Sequence, residues 1–269
     1  MTAWRAIVLL VVAAWAGGAV AAVDSPLARE AAALAARHPG ESGVLLLDSG
    51  ADALRQRDAL IEAARRTIDA QYYIWNADAS GRYLAARLVA AADRGVHVRV
   101  LLDDINVAGR DADLARLAAH PNVEVRIYNP TPERRGALRL LGFLGDFVRL
   151  NRRMHNKSFT VDGAVTIIGG RNIGDEYFDL DPEMNFRDRE LLVAGPVVAA
   201  VTAGFEAFWA SRWTWLAETL ATASPSARAD DLPSAATAMA ALGYRPDPRL
   251  GEVVVDQVLP ALAWAPARL

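Results

Sequence analysis

The 269-residue chain contains no cysteine. Disulfides, thiolate catalysis and cysteine-ligated metals are therefore excluded, as is a lipid anchor built on an N-terminal cysteine. Lysine is nearly absent as well: of 29 Lys and Arg residues, only Lys157 is lysine. The single ammonium reads as a place where a compact charge suits and a planar guanidinium does not. Coincidence is the alternative for one residue, and its position two residues after His155 weakens it. There is no excess of positive charge either. A net charge of -3 excludes a chain that binds nucleic acid through overall basicity, so any phosphate contact needs a local patch. What the chain does have is apolar material, 53% hydrophobic against 23% charged, enough for a core and against global disorder.

Residues 6–23 form an uninterrupted apolar run after a short N-terminus carrying Arg5, and Asp24 ends it. Ala19-Val20-Ala21 resembles a small-residue cleavage site. Residues 1–23 are thus a signal peptide or an N-terminal membrane anchor. Either reading exports the rest of the chain, to the periplasmic side of the inner membrane or to the periplasm. A buried core helix is the third reading.

Residues 24–215 read as one domain. Short apolar runs at 44–48, 67–75, 96–102 and 123–128 alternate with helical patterns at 51–66, 81–94 and 111–119. This order implies an α/β sheet covered by helices. Residues 131–153 break the rhythm, with six arginines among Leu, Phe and Val. They read as an amphipathic segment on an anionic membrane surface, or as an ordinary surface helix. Residues 158–161 and 164–168 look like a hairpin turning at Asp162-Gly163. Residues 191–194 form one more strand, and 197–213 a helix. Residues 216–269 read as a linker followed by the start of a truncated second half.

The chemistry is concentrated in His155-Asn156-Lys157, in Asp162 and in Gly169-Gly170-Arg171-Asn172. On an extended chain His155 and Lys157 point to the same side. Imidazole serves as nucleophile or as acid and base near neutral pH, and an ammonium neutralises a phosphate oxygen. Gly169 and Gly170 would let backbone approach a ligand closely. Asn172 would donate to a second phosphate oxygen. Each residue alone is an ordinary strand or turn position; the set is not.

His-x-Lys, then Asp, then Gly-Gly-x-Asn resembles the HKD signature of the phospholipase D superfamily. Residues 152–158, 169–178 and 195–198, with Gln71-Tyr72-Tyr73-Ile74-Trp75, resemble cardiolipin synthases of the C-type more narrowly. The resemblance covers residues 44–213 and implies a phospholipase D-like α/β fold, a mixed β-sheet flanked by helices, with one HKD half present. It implies that His155 attacks phosphorus to give a phosphohistidine. Lys157 and Asn172 would hold the non-bridging oxygens, and Asp162 would fix loop and strand. Asp188 or Glu190, with Asp188 preferred, would bond the His155 ring and set its tautomer. It implies no metal and no cofactor. The substrates would be phospholipids such as phosphatidylglycerol and phosphatidylethanolamine, at a membrane surface, without nucleic acid.

The chain departs from that family in one respect. Its other histidines, His38, His97 and His120, have no lysine two residues on, and neither His nor Lys follows Lys157. A second HKD half must therefore come from another chain or from a missing C-terminal segment. Three functions stay open: phosphatidyl transfer, a single-motif nuclease or phosphodiesterase acting as a homodimer, and an inactive truncated fragment.

Overall fold

A computed structural model describes residues 24–107, 110–131, 152–220, 235–240, 244–245 and 247–267. The apolar leader and nearly all of the arginine-rich segment lie outside these residues. Among the described residues no helix is long and apolar enough to cross a membrane.

Helix starts follow local capping. Ser25 caps α1 (Pro26–Arg37) by accepting from Ala28 N, with Pro26 in the first turn. Ser49 caps α2 (Gly50–Ala63) through Asp52 N, and Asp78 caps α3 (Ala79–Asp93) through Gly81 N. Two short helices, α4 (Asp104–Val107) and α5 (Asp111–Ala118), follow the third strand. The last long helix is α6 (Val197–Trp209).

Nine strands form one mixed sheet: β1 (Ser42–Leu47), β2 (Thr67–Tyr72), β3 (His97–Asp103), β4 (Val123–Tyr128), β5 (Ser158–Val161), β6 (Val165–Gly169), β7 (Glu190–Ala194), β8 (Thr214–Leu216) and β9 (Ala263–Ala265). Their order is β8-β4-β3-β2-β5-β6-β7-β1-β9. The β2, β3 and β4 strands are parallel, each reached through a helical crossover. The other pairings are antiparallel, so the sheet is mixed, as the sequence implied.

The main core fills the side covered by α1, α2, α3 and α5. Two smaller apolar clusters lie under α6, one around Leu101, Tyr128, Met154 and Phe205, the other around Val193, Val197 and Val201.

Three expectations are revised by tertiary contacts. The helix expected over residues 51–66 stops at Ala63, because the N–H groups of Arg65, Arg66 and Thr67 turn outward to Asp162. The helix expected over 197–213 stops at Trp209, and the chain turns into the edge strand β8, with Thr214 Oγ1 donating to Phe208 O at 2.7 Å. Described parts of residues 216–269, the stretch assigned to a linker and the start of a second half, also pack on this body. Ala235–Ala240 packs on α3, Leu250–Val253 packs on α2, and β9 pairs with β1.

Asp162 locks the β5–β6 hairpin to β2. It sits at the turn with φ +52°, a left-handed conformation that Asp tolerates better than most residues. Its buried carboxylate accepts from Arg66 N at 2.7 Å, Thr67 N at 2.9 Å, Arg65 N at 3.1 Å and Ser25 Oγ at 2.6 Å. Asp162→Ala strands several buried donors at once. We expect a loss of about 2–4 kcal/mol of unfolding free energy, measured by urea denaturation.

Candidate active site

Because β5 runs antiparallel to β2, its start lies at the carboxyl ends of β2 and β3. Open α/β sheets bind ligands at that edge. The residues leading into β5 are His155, Asn156 and Lys157. His155 is exposed and Lys157 is buried up to its ammonium end. Lys157 Nζ lies 2.9 Å from His155 Nδ1 and 3.4 Å from Nε2, and donates to His155 O at 2.7 Å. The sequence expectation that these two share one side holds at contact distance.

Both groups are shifted toward neutrality. Desolvation, then the charge of Lys157, hold the His155 imidazole below the ordinary histidine value. Desolvation also lowers Lys157, against the opposing pull of Asp188.

Tyr73 completes the cluster. Its ring centroid is 4.5 Å from that of His155 and 5.4 Å from Lys157 Nζ, within range of a cation–π contact. In the sequence Tyr73 stands out only as part of a strand resemblance. The signal available there was its place just past β2, at the edge where sheet ligands bind.

Asn172 is buried beside this cluster, and its side chain is partly committed. Its Oδ1 accepts from Ile74 N at 3.0 Å, and its Nδ2 donates to Tyr177 Oη at 3.1 Å. Among the described residues its second amide hydrogen has no acceptor. The following turn is bolted to the start of α3. Asp175 N donates to Asp78 at 2.8 Å, and Asp175 accepts from Ser80 N at 2.7 Å. Arg171 is buried and bonds the backbone carbonyls of Tyr177 and Asp48. It ties the Asn172 turn to the end of β1.

The two glycines do something different from what the sequence suggested. A Cβ on Gly170 would collide with the Asp188 carboxylate, and one on Gly169 with Arg189 O and Glu190. They admit the loop that enters β7, and it is this chain's own backbone and side chains that approach them.

The tautomer-setting carboxylate is also revised. Glu190 accepts from both terminal nitrogens of Arg57, at 2.5 and 2.8 Å, with both side chains buried on the α2 side of the sheet. Burial pulls the Arg57 guanidinium down, and Glu190 and Tyr72 more than offset it. Glu190 is thus a structural ion-pair partner with no oxygen for His155. Asp188 packs over Gly170 and accepts from Arg189 N at 2.9 Å. It acts on Lys157 through charge and makes no hydrogen bond to the imidazole in this structure. It also lines an open cleft of about 1010 Å³ together with Asp48, Arg171, Phe186 and Arg187.

The remaining histidines lie elsewhere. His38 stacks on Trp264 at 4.6 Å, His120 bonds Asp93 at 3.1 Å, and His97 opens β3 on the surface. Among the described residues no cluster of His, Asp and Glu has the makings of a metal site.

A family model described as "Cardiolipin synthase, PLD-like domain" matches residues 58–209. Cardiolipin synthase C of Escherichia coli (strain K12) is 52% identical over 176 residues, which cover 65% of this chain and 37% of that protein. Cardiolipin synthase A of Pseudomonas entomophila (strain L48) is 32% identical over 172 residues, 63% of this chain and 34% of that protein. The chain therefore matches little more than a third of the length of these relatives. Among solved structures, phosphatidylserine synthase of Haemophilus influenzae Rd KW20 shares the fold. Its TM-score is 0.52 at 13% identity, over 85% of this chain and 48% of that one.

Two substitutions separate the roles in this cluster. Lys157→Met removes the neighbouring cation, so the His155 pKa should rise; an NMR titration of histidine ring protons reads this directly. Glu190→Gln should leave that pKa in place and instead cost about 3–5 kcal/mol of stability, because Arg57 stays buried without its counter-charge.

Proposed function

This chain belongs to the cardiolipin synthase family of phospholipase D-like domains, and we propose that it carries one half-site of a phosphatidyl transfer. The observation that carries this reading is the imidazole of His155 held 2.9 Å from the ammonium of Lys157, the chain's single lysine. In the free protein that ammonium engages the ring. A bound phosphodiester would draw it onto a non-bridging oxygen and leave the ring lone pair free to attack.

In the first step a bond forms between a His155 ring nitrogen and phosphorus as the bond to the departing alcohol breaks. The leaving oxygen takes a proton from an acid. In the second step an acceptor alcohol attacks the phosphohistidine, loses its proton to the base left by the first step, and regenerates imidazole. Lys157 and the spare amide hydrogen of Asn172 carry the charge that builds on the non-bridging oxygens. The Asp188 carboxylate opposes the loss of charge that burial imposes on Lys157.

The donor would be a glycerophospholipid. With phosphatidylglycerol or phosphatidylethanolamine as partner substrates, the product would be cardiolipin. The acid would come from a second half-site, on another chain or on a further C-terminal segment. An exposed apolar pair, Leu46 and Leu191, cross-strand neighbours on β1 and β7, offers surface for it. The apolar leader and the arginine-rich segment suit a membrane-bound location on the periplasmic side, or the periplasm.

Incubation with phosphatidylglycerol and phosphatidylethanolamine in mixed micelles, followed by lipid mass spectrometry, tests the reading. Cardiolipin made by the wild-type chain and not by His155→Ala is expected, with a phosphatidyl-bearing His155 peptide trapped by a quench that avoids acid, in which the N–P bond hydrolyses. A wild-type chain that neither makes cardiolipin nor acquires phosphorus on His155 would sink it.

A further inference from the structure

The reacting histidine stands at the end of a chain segment that no secondary structure holds, since β5 begins only at Ser158. Its position must be set from outside that strand. The buried carboxylate of Asp103, the last residue of β3, accepts from Met154 N at 2.8 Å. Its other oxygen accepts from Arg153 Nη1 at 3.1 Å and from Ile105 N at 2.9 Å. Asp103 is fully inaccessible, and so is Met154, whose sulfur accepts from Gln71 Nε2 at 3.0 Å. One residue further back, Asn129, just past β4, donates from its side chain to Arg152 O at 2.8 Å. The three residues before His155 are therefore gripped by the carboxyl ends of β2, β3 and β4.

We infer that Asp103 is a positioning residue of this site: by fixing Met154 N and Arg153, it sets the backbone from which His155 meets Lys157 and Tyr73. A carboxylate suits this role because all three of its partners are donors. An amide of the same shape turns an NH2 group toward some of them. Among the described residues nothing else anchors residue 154 through its backbone, so loss of this bond passes directly to the next residue. The inference rests on the reading of His155 as the reacting group only for its effect on turnover. Its effect on geometry is independent of it.

The experiment uses the full chain with ring-labelled histidine, the His155 signal being assigned with His155→Ala. Asp103→Asn is compared with Leu88→Ala, a core truncation in α3 that serves as a destabilised control. In Asp103→Asn the His155 signal should broaden and its pKa should rise toward the ordinary histidine value, as the contact with Lys157 loosens. In Leu88→Ala it should stay where it is in the wild type. Arg153→Met leaves both backbone bonds intact and should give a smaller shift in the same direction, in a chain that keeps its buried carboxylate. In a second arm, labelling of His155 by bis(4-nitrophenyl) phosphate is followed by peptide mass mapping. It should slow by about 10²-fold in Asp103→Asn, the usual effect of misplacing a reacting group by about an ångström. An unchanged His155 titration in both Asp103→Asn and Arg153→Met, or equal shifts in Asp103→Asn and Leu88→Ala, overturns the positioning role. Failure of wild-type His155 to label overturns the phosphodiester reading instead, and the titration still decides the role of Asp103.

Discussion

Buried backbone N–H groups must find acceptors, and in this chain carboxylates supply them wherever the sheet hands over to a loop. Asp162 takes the amides of Arg65, Arg66 and Thr67 at the start of β2. Asp103 takes those of Ile105 and Met154 at the end of β3. Asp78 and Asp175 exchange such bonds between the start of α3 and the Asn172 turn. Hydrogen bonds to an ionised acceptor are stronger than neutral ones, which suits corners where several donors converge. The short strand β5 is held in this way at both ends, by Asp162 after it and by Asp103 just before His155. The register that brings His155 and Lys157 to the sheet edge depends on those two grips.

The electrostatics of the cluster follow from that placement. Desolvation first, and then the Lys157 ammonium lying against the ring, push the His155 imidazole below its ordinary value. Asp188 opposes the loss of charge on Lys157 without reaching the ring. Glycine at position 170 is what lets Asp188 come this close. The Arg57–Glu190 pair then fixes the strand that follows, from the opposite side of the sheet. A motif that reads as a linear string is thus assembled from two loops, each anchored by charges that the string does not contain.

Much of this was legible in the sequence, for identifiable reasons. The parallel strands β2 to β4 are long enough to show periodicity, and β4 and β5 fall on the expected residues. The HKD residues carry their own spacing. What escaped depends on partners distant along the chain. Strands β8 and β9 have three residues each, too few for any pattern, and exist because β4 and β1 offer open edges. Glu190 and Asp188 stand two residues apart and look alike in sequence. Only the position of Arg57, 133 residues away, shows that Glu190 belongs to the core. Asp103 had no motif and Tyr73 only a strand resemblance, since their places in the cluster come from lying at the ends of neighbouring strands.

On the proposed reading the cluster supplies a nucleophile and a phosphate clamp, and it still needs an acid for the leaving oxygen. Lys157 is a poor choice, because giving up its proton would remove the charge that stabilises the phosphorane-like transition state. Tyr73 touches the ring with its face, an arrangement suited to packing. The other histidines of the chain make their contacts with Trp264 and Asp93, or open β3 at the surface. An imidazole brought by a second half-site meets the requirement best, since it accepts in one step the proton it donates in the other. His155 is exposed, and Leu46 and Leu191 are apolar side chains in the open on the same sheet. On the proposed reading, His155 is anchored from behind by Asp103 through Met154 N and left uncovered in front, where a second half-site would stand.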